Sequence, residues 1–394
     1  MIDGALYLEI KIMKEENNIE VSVVMPCLNE EEAVGICVQK AKKALDKLNI
    51  RGEIIVVDNG STDNSVQIAQ NEGAKVILES EKGYGNAYLR GFKEAKGDII
   101  IMGDADDTYD FSHIDKFISQ IQQGYDFIIG SRFKGKIRKG AMPWPNRYIG
   151  NPILTGILRF FFKINITDAH SGMRAFTKKA LKKMELHSLG MELASEMIIA
   201  AVRENLKIKE IPIDYLERKG DSKLLPFKDA WRHFSFMLIY SPTWLFLIPG
   251  GILFFIGTVL LFLLLYGPIV ILGHQWDVHL MALASLFSLS GVQILTLGVY
   301  AKTFGVIKGF LKEDIFLSFM WRHFKLEKGI FLGVALFTFG FVFNYFILHE
   351  WIKHSFGPLE KIREAIFGIT FVIIGIQTIF SSFFLHMLGI KTTR

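Results

Sequence analysis

The chain has 394 residues, enough for one sizeable folded domain and something besides, because single hydrophobic cores stop growing near ~250–300 residues. Half of it is hydrophobic (50%) while 22% is charged, so polar and apolar stretches are segregated along its length. The net charge of +5 is small and dispersed, which argues against a nucleic-acid partner and suits an anionic lipid surface, and the only two cysteines, Cys27 and Cys37, supply neither a disulfide framework nor metal-ligand spacing.

Met1 to Glu20 mixes charge with short apolar pieces and lacks the basic start and apolar core of a signal peptide, so the soluble half is expected to stay in the cytoplasm. From Glu20 to Arg218, short β-branched runs alternate with charged helical stretches, the signature of a sheet built from βαβ units. Strands are predicted at Val21 to Met25, Glu53 to Val57, Ala74 to Leu78, Asp98 to Met102, Tyr125 to Ile129 and Lys207 to Tyr215. Helices are predicted at Glu30 to Leu48, Asp63 to Asn71, Asn151 to Phe162 and Met191 to Asn205.

Phe227 to Tyr240 mixes aromatic residues with Lys228, Arg232 and His233, as expected of an amphipathic helix at a membrane interface. Four apolar spans follow, near 244–266, 280–300, 329–348 and 365–388, each about the length that crosses a bilayer. Their near lack of ionisable residues speaks against a transporter. The loop Gly267 to His279 carries no Lys or Arg, whereas Ala301 to Lys328 carries six, which places the second loop inside. Within it, Phe316 to Phe324 reads as another interfacial helix.

The strongest chemical signal is the run from Ile99 to Asp107, where Asp104 and Asp106 follow the carboxyl end of an apolar strand. Ligands of open α/β sheets bind there, and two carboxylates one residue apart can share one hard divalent ion. About one D-x-D arises by chance in a chain of this length, so placement carries the argument. A second acidic strand end, Asp58-Asn59-Gly60-Ser61-Thr62-Asp63, strengthens it, although Ser61 and Asp63 equally suit helix capping and turn chemistry.

With Val23 to Glu30 at the first strand, these motifs resemble the family 2 glycosyltransferases, and the resemblance implies a GT-A, Rossmann-like α/β domain. It implies nucleotide contacts from Pro26, Asn29, Glu30 and Asp58, with Lys82, Gly83 and Gly85 matching a glycine-rich stretch of the group. It also implies a catalytic, metal-binding pair, Asp104 and Asp106, holding magnesium or manganese on the diphosphate. Three further segments, Gly130 to Phe133, Asp168 to Arg174 and Glu217 to Leu224, narrow the resemblance to polyprenyl-phosphate sugar synthases such as the dolichol-phosphate glucose and mannose enzymes. By that likeness Arg132, Arg147, Ser171, Arg218 and Lys223 hold donor or acceptor phosphate, with Arg132 also catalytic, though Arg147 and Lys223 equally read as solvated surface cations. Two positions depart from the pattern: Asn59 stands where relatives often carry a second aspartate, and Thr108 stands where the dolichol-phosphate mannose synthases offer an amide near the metal.

The organisation implied is a cytoplasmic glycosyltransferase domain over 1–225, an interfacial helix over 226–242 and a transmembrane domain over 243–394. A lipid phosphate is already anionic and needs no general base, whereas a hydroxyl acceptor needs one, and the separated Glu192 and Glu196 do not form the acidic pair expected for that task. The expected reaction is inverting transfer of a hexose from UDP-glucose or GDP-mannose, the former favoured, to polyprenyl or dolichyl phosphate. The alternatives are a transferase acting on a hydroxyl of a lipid-linked glycan or glycolipid, and a noncatalytic nucleotide-sugar-binding membrane partner. No Q-x-x-R-W motif of the processive polysaccharide synthases is present. Partners are therefore the nucleotide-sugar, the polyprenyl phosphate and membrane lipids, and a homo-oligomer through the spans is compatible with the sequence.

Overall fold

The structure is a computed structural model, and it describes residues 19–220, 226–309, 311–323, 326–357 and 361–389. Contacts divide the chain after Met237 into two compact units.

The first unit is built on a seven-stranded sheet of β1 (Val21–Cys27), β2 (Gly52–Asp58), β3 (Lys75–Leu78), β4 (Ile99–Met102), β5 (Phe127–Ser131), β6 (Arg174–Thr177) and β7 (Ile208–Pro212), in the order 3-2-1-4-6-5-7. β1 is central because Val21, Ser22, Val23, Val24 and Met25 are all buried, as a parallel strand covered on both faces must be. It pairs in parallel with β2 on one side and β4 on the other, Val24 lying opposite Ile55 and Met102. The chain thus steps outward through β2 and β3, then returns to the far side of β1, and the crevice at that reversal opens at the carboxyl ends of β1 and β4.

One sheet face is covered by α1 (Val34–Lys47), α2 (Ser65–Asn71) and α4 (Ile114–Gln122), whose apolar stripes join Val23, Met25 and Ile101 in one core. α3 (Tyr84–Glu94) packs elsewhere: a side chain added at Gly91 would run into Val24 and Val57, so glycine there lets helix and sheet approach closely. α5 (Asn151–Phe162), α6 (Lys178–Met184), α7 (Leu193–Arg203) and α8 (Pro226–Ile239) complete the order.

The strands expected from the sequence are present, and four elements lie outside the expected set. α3 begins inside the glycine-rich stretch, α4 and α6 fill connections, and β6 runs antiparallel to both β4 and β5. β6 opens on a buried arginine and has neither the continuous apolar run of β4 nor an alternating pattern, so its sequence does not announce it.

The second unit holds four helices long and apolar enough to cross a membrane, Thr243–Leu265, Val278–Ile307, Leu326–Lys353 and Ile362–Leu388. Glycines let them approach in pairs: Gly257 lies against Ala284 and Ser288, and Gly333 against Gly375 and Ile379. A short hairpin, Ile269–Ile271 with His274–Trp276, fills the first connection. A further helix, Ile315–His323, occupies the second, held by Asp314, which accepts from the buried Lys302 ammonium at 2.5 Å.

Candidate active site

At the tips of β1 and β2 the polar side chains form a hydrogen-bonded turn lattice. The Asp58 carboxylate accepts from the backbone amides of Gly60 (3.1 Å) and Ser61 (3.2 Å). Asn29, at φ +52°, accepts from the Thr62 amide at 2.7 Å, and its own amide donates to Ser61 Oγ at 2.9 Å. Asp63 accepts from the Ser65 amide and hydroxyl, so Ser61 and Asp63 carry the turn and cap chemistry their residue types allow. Asn59 donates to the carbonyls of Glu79 (3.0 Å) and Glu81 (2.8 Å) and accepts from the Gly83 amide (2.7 Å). An aspartate could not make those two donations, which is the physical content of the departure at this position.

The glycine-rich stretch is the entry to α3. Gly83 sits at φ +152°, and a Cβ on Gly85 would overlap the Ser188 and Leu189 backbone. These glycines serve close packing against the 188–189 segment, and the Lys82 side chain is exposed. α3 then presents Tyr84 and Tyr88, whose hydroxyls donate to Asp104 Oδ1 at 3.0 and 3.2 Å. Burial pushes both phenols well above their ordinary range, so both stay protonated.

Asp104 and Asp106 differ sharply in surroundings. Burial, and after it the Asp106 charge, push the Asp104 carboxyl up to about 7. Asp106 accepts from Thr108 Oγ1 at 2.6 Å through Oδ1, and from Arg218 Nη1 at 2.8 Å through Oδ2. Arg218 also pairs with Glu30, bridging the ends of β1 and β4. Asp107 binds Lys40 at 2.6 Å and Lys219 at 3.0 Å.

A hard divalent cation takes oxygen ligands and in such sites uses one or two carboxylates, the rest coming from water and substrate phosphates. Two adjacent carboxylates, one of them crowded by the other and without a described ion-pair partner, fit that donor set. Asp104 and Asp106 are the residues that would hold it; among the described residues no cluster of three or more His, Cys, Asp or Glu side chains is found.

Arg132 is fixed by a two-pronged contact to Asp168, Nε to Oδ2 at 2.7 Å and Nη2 to Oδ1 at 2.8 Å, and lies over the Tyr215 ring at 5.1 Å. Asp168 in turn takes the Arg132 backbone amide at 2.9 Å. Arg174 donates to the carbonyls of Ala169, Ser171 and Ala194, and so tethers its own loop to α7. Arg147 lies over the Tyr148 ring at 5.3 Å. Glu196 accepts from the His187 and Ser188 amides, and Glu192 from the Gly190 amide, which commits both to the turn before α7.

A cavity of about 520 Å³ opens at the crevice. Pro26, Glu30, Asp104, Asp106, Arg132 and Arg218 line it, so residues separated by up to 192 positions meet in one space. Asn29, Asp58, Lys82, Gly83, Gly85, Arg147 and Ser171 stand outside its lining, and Lys223 falls outside the described residues. Tyr84, Tyr215, His170 and His233, not among the site residues expected from the sequence, also line the cavity; the signals available were the Tyr84 and Tyr88 spacing on one helix face and the place of His170 inside the Asp168 to Arg174 segment.

Ligands of open α/β sheets bind in a crevice of this kind, at the carboxyl ends of strands where the strand order reverses. Sequence comparison goes further. Residues 22–185 match the profile of glycosyl transferase family 2, and residues 299–389 match the C-terminal transmembrane region of that family. The low-salt glycan biosynthesis hexosyltransferase Agl6 of Haloferax volcanii is 39% identical over 93% of this chain and 89% of its own length. The dolichyl-phosphate hexose transferase of the same organism is 34% identical over 55% of this chain and 91% of its own. The dolichol-phosphate mannosyltransferase of Pyrococcus furiosus is 33% identical over 52% of this chain and 59% of its own. The chain belongs to glycosyltransferase family 2, as an integral membrane glycosyltransferase.

Proposed function

We propose that the protein transfers a hexose from a nucleotide-sugar, UDP-glucose or GDP-mannose, to polyprenyl or dolichyl phosphate at the cytoplasmic membrane face. The observation that carries the reading is the pairing, in one cavity, of Asp104 and Asp106 with the guanidinium groups of Arg132 and Arg218. Carboxylates suit a cation-bound diphosphate and guanidinium forks suit phosphate oxygens. The names of the two dolichyl-phosphate relatives support the same acceptor class, and that of Agl6 supports a product used in glycan assembly.

An oxygen of the acceptor phosphate bonds to the anomeric carbon while the bond from that carbon to the nucleotide diphosphate breaks, the diphosphate leaving with the electron pair and the configuration inverting. The acceptor arrives deprotonated, so no side chain need remove a proton. Arg132, locked by Asp168, holds its position without reorganisation, and Arg218 supplies a second positive charge from the 215–220 segment. A divalent cation, when bound, supplies charge neutralisation on the departing diphosphate.

The test is full-length protein in liposomes given labelled UDP-glucose or GDP-mannose, a polyprenyl phosphate, and magnesium or manganese. An acid-labile labelled lipid is the expected product, and its absence with every common donor overturns the reading. Asp106→Asn should lower turnover at least ~100-fold while the protein stays folded. Full activity at saturating metal would remove Asp106 from the site.

A further inference from the structure

Two histidines that line the cavity belong to a polar chain that the reaction above does not use. His233, on α8, is within 2.8 Å of Ser195 Oγ through Nδ1, and the same oxygen lies 3.5 Å from His170 Nε2. The two imidazoles meet edge to face, centroids 4.4 Å apart, and both line the cavity that holds Asp104, Arg132 and Arg218. The other nitrogen of the His170 ring, Nδ1, is buried with no hydrogen-bond partner among the described residues, and so is the neighbouring Ser171 hydroxyl. A buried ring nitrogen left unpaired is unfavourable, so a group that reaches it on binding gains that interaction.

We propose that His170 is an acceptor-binding residue whose Nδ1–H donates to an oxygen of the acceptor phosphate, with Ser195 and His233 behind it as positioning residues that fix its tautomer. The inference rests on the phosphate-acceptor reading above. Hydrogen-bond direction then follows along the chain. With its proton on Nδ1, His170 has a bare Nε2 that accepts from the Ser195 hydroxyl, whose oxygen accepts in turn from His233 Nδ1–H. Each imidazole carries one proton and no charge. Burial, followed for His170 by His233 and then Arg132 and Arg174, lowers the protonation of both rings, in keeping with that arrangement. A neutral donor orients an anion already held by arginines, without adding charge to a crowded site.

The test uses the full-length protein in liposomes with a short-chain polyprenyl phosphate and whichever of UDP-glucose or GDP-mannose it turns over. His170→Phe, which keeps a ring but no donor, should raise the acceptor KM roughly tenfold to a hundredfold with the donor KM unchanged. His170→Asn, whose amide can place an N–H near the Nδ1 position, should restore most of that loss. His233→Phe should raise the acceptor KM by a smaller factor. An acceptor KM within twofold of wild type for His170→Phe would overturn the inference alone, and donor binding lost in both His170 variants would assign the residue to structure and overturn it equally. A fall in kcat with unchanged acceptor KM would make His170 a base and also overturn it. A wild-type protein that makes no polyprenyl-phosphate sugar would overturn the underlying reading, and this inference with it.

Discussion

His233 shows how a residue can be invisible in sequence and informative in structure. In the sequence it reads as one cation among several on an amphipathic stretch, whereas in the fold it is 6% exposed and bonded to Ser195. Burial, and then Arg174, lower its pKa to about 4. The unfolded chain takes up this proton near ~6.5 while the folded chain resists until about 4, so the associated stability is intact above the first value and is lost as pH falls through the window between them. Thermal melting of the wild type should therefore move to lower temperature between pH 7 and pH 4, and His233→Gln should flatten that loss; equal slopes would contradict the assignment. Asp104 and Asp106 were legible because strand-end carboxylates are a local pattern. Arg218, which binds Asp106 across 112 positions, was legible only through family likeness, since no spacing rule relates them.

At the scale of elements, the long parallel strands were readable because their both-face burial leaves continuous apolar runs, as in Val21 to Met25. β6 was not, because it is pairing with β4 and β5 that makes a strand of Arg174-Ala175-Phe176-Thr177, whose two strand formers, Phe176 and Thr177, make too short a run to announce it. The glycine-rich stretch was visible as a motif, but what its glycines meet was not: Gly85 faces the Ser188 and Leu189 backbone, contributed by a segment a hundred residues downstream. Backbone cannot give way as a flexible side-chain end can. Gly85→Ala should therefore destabilise the first unit by about 1–3 kcal/mol and weaken donor binding by tilting Tyr84 and Tyr88 away from Asp104. Thermal melting together with nucleotide-sugar titration checks this, and an unchanged melting temperature would show that the approach is looser than described.

Across the whole molecule, four membrane-length helices were legible from hydropathy alone, with the structure extending three of them beyond the apolar windows, as in Val278–Ile307. Orientation is a matter of charge. Between Gly267 and His279 there is no Lys or Arg, while the 301–328 connection carries six. A single cysteine introduced at Val278, in a background lacking Cys27 and Cys37, should react with an impermeant reagent added outside cells, and one at Lys312 should not. The reverse pattern would invert the topology and put the catalytic unit on the wrong side for cytoplasmic nucleotide-sugars. Phosphorus NMR of the purified lipid product reads directly which bond is formed. The expected result is one phosphodiester phosphorus coupled to the anomeric proton of a hexose of inverted configuration. A product whose sugar is joined instead to a hydroxyl, with the lipid phosphate unsubstituted, would contradict it.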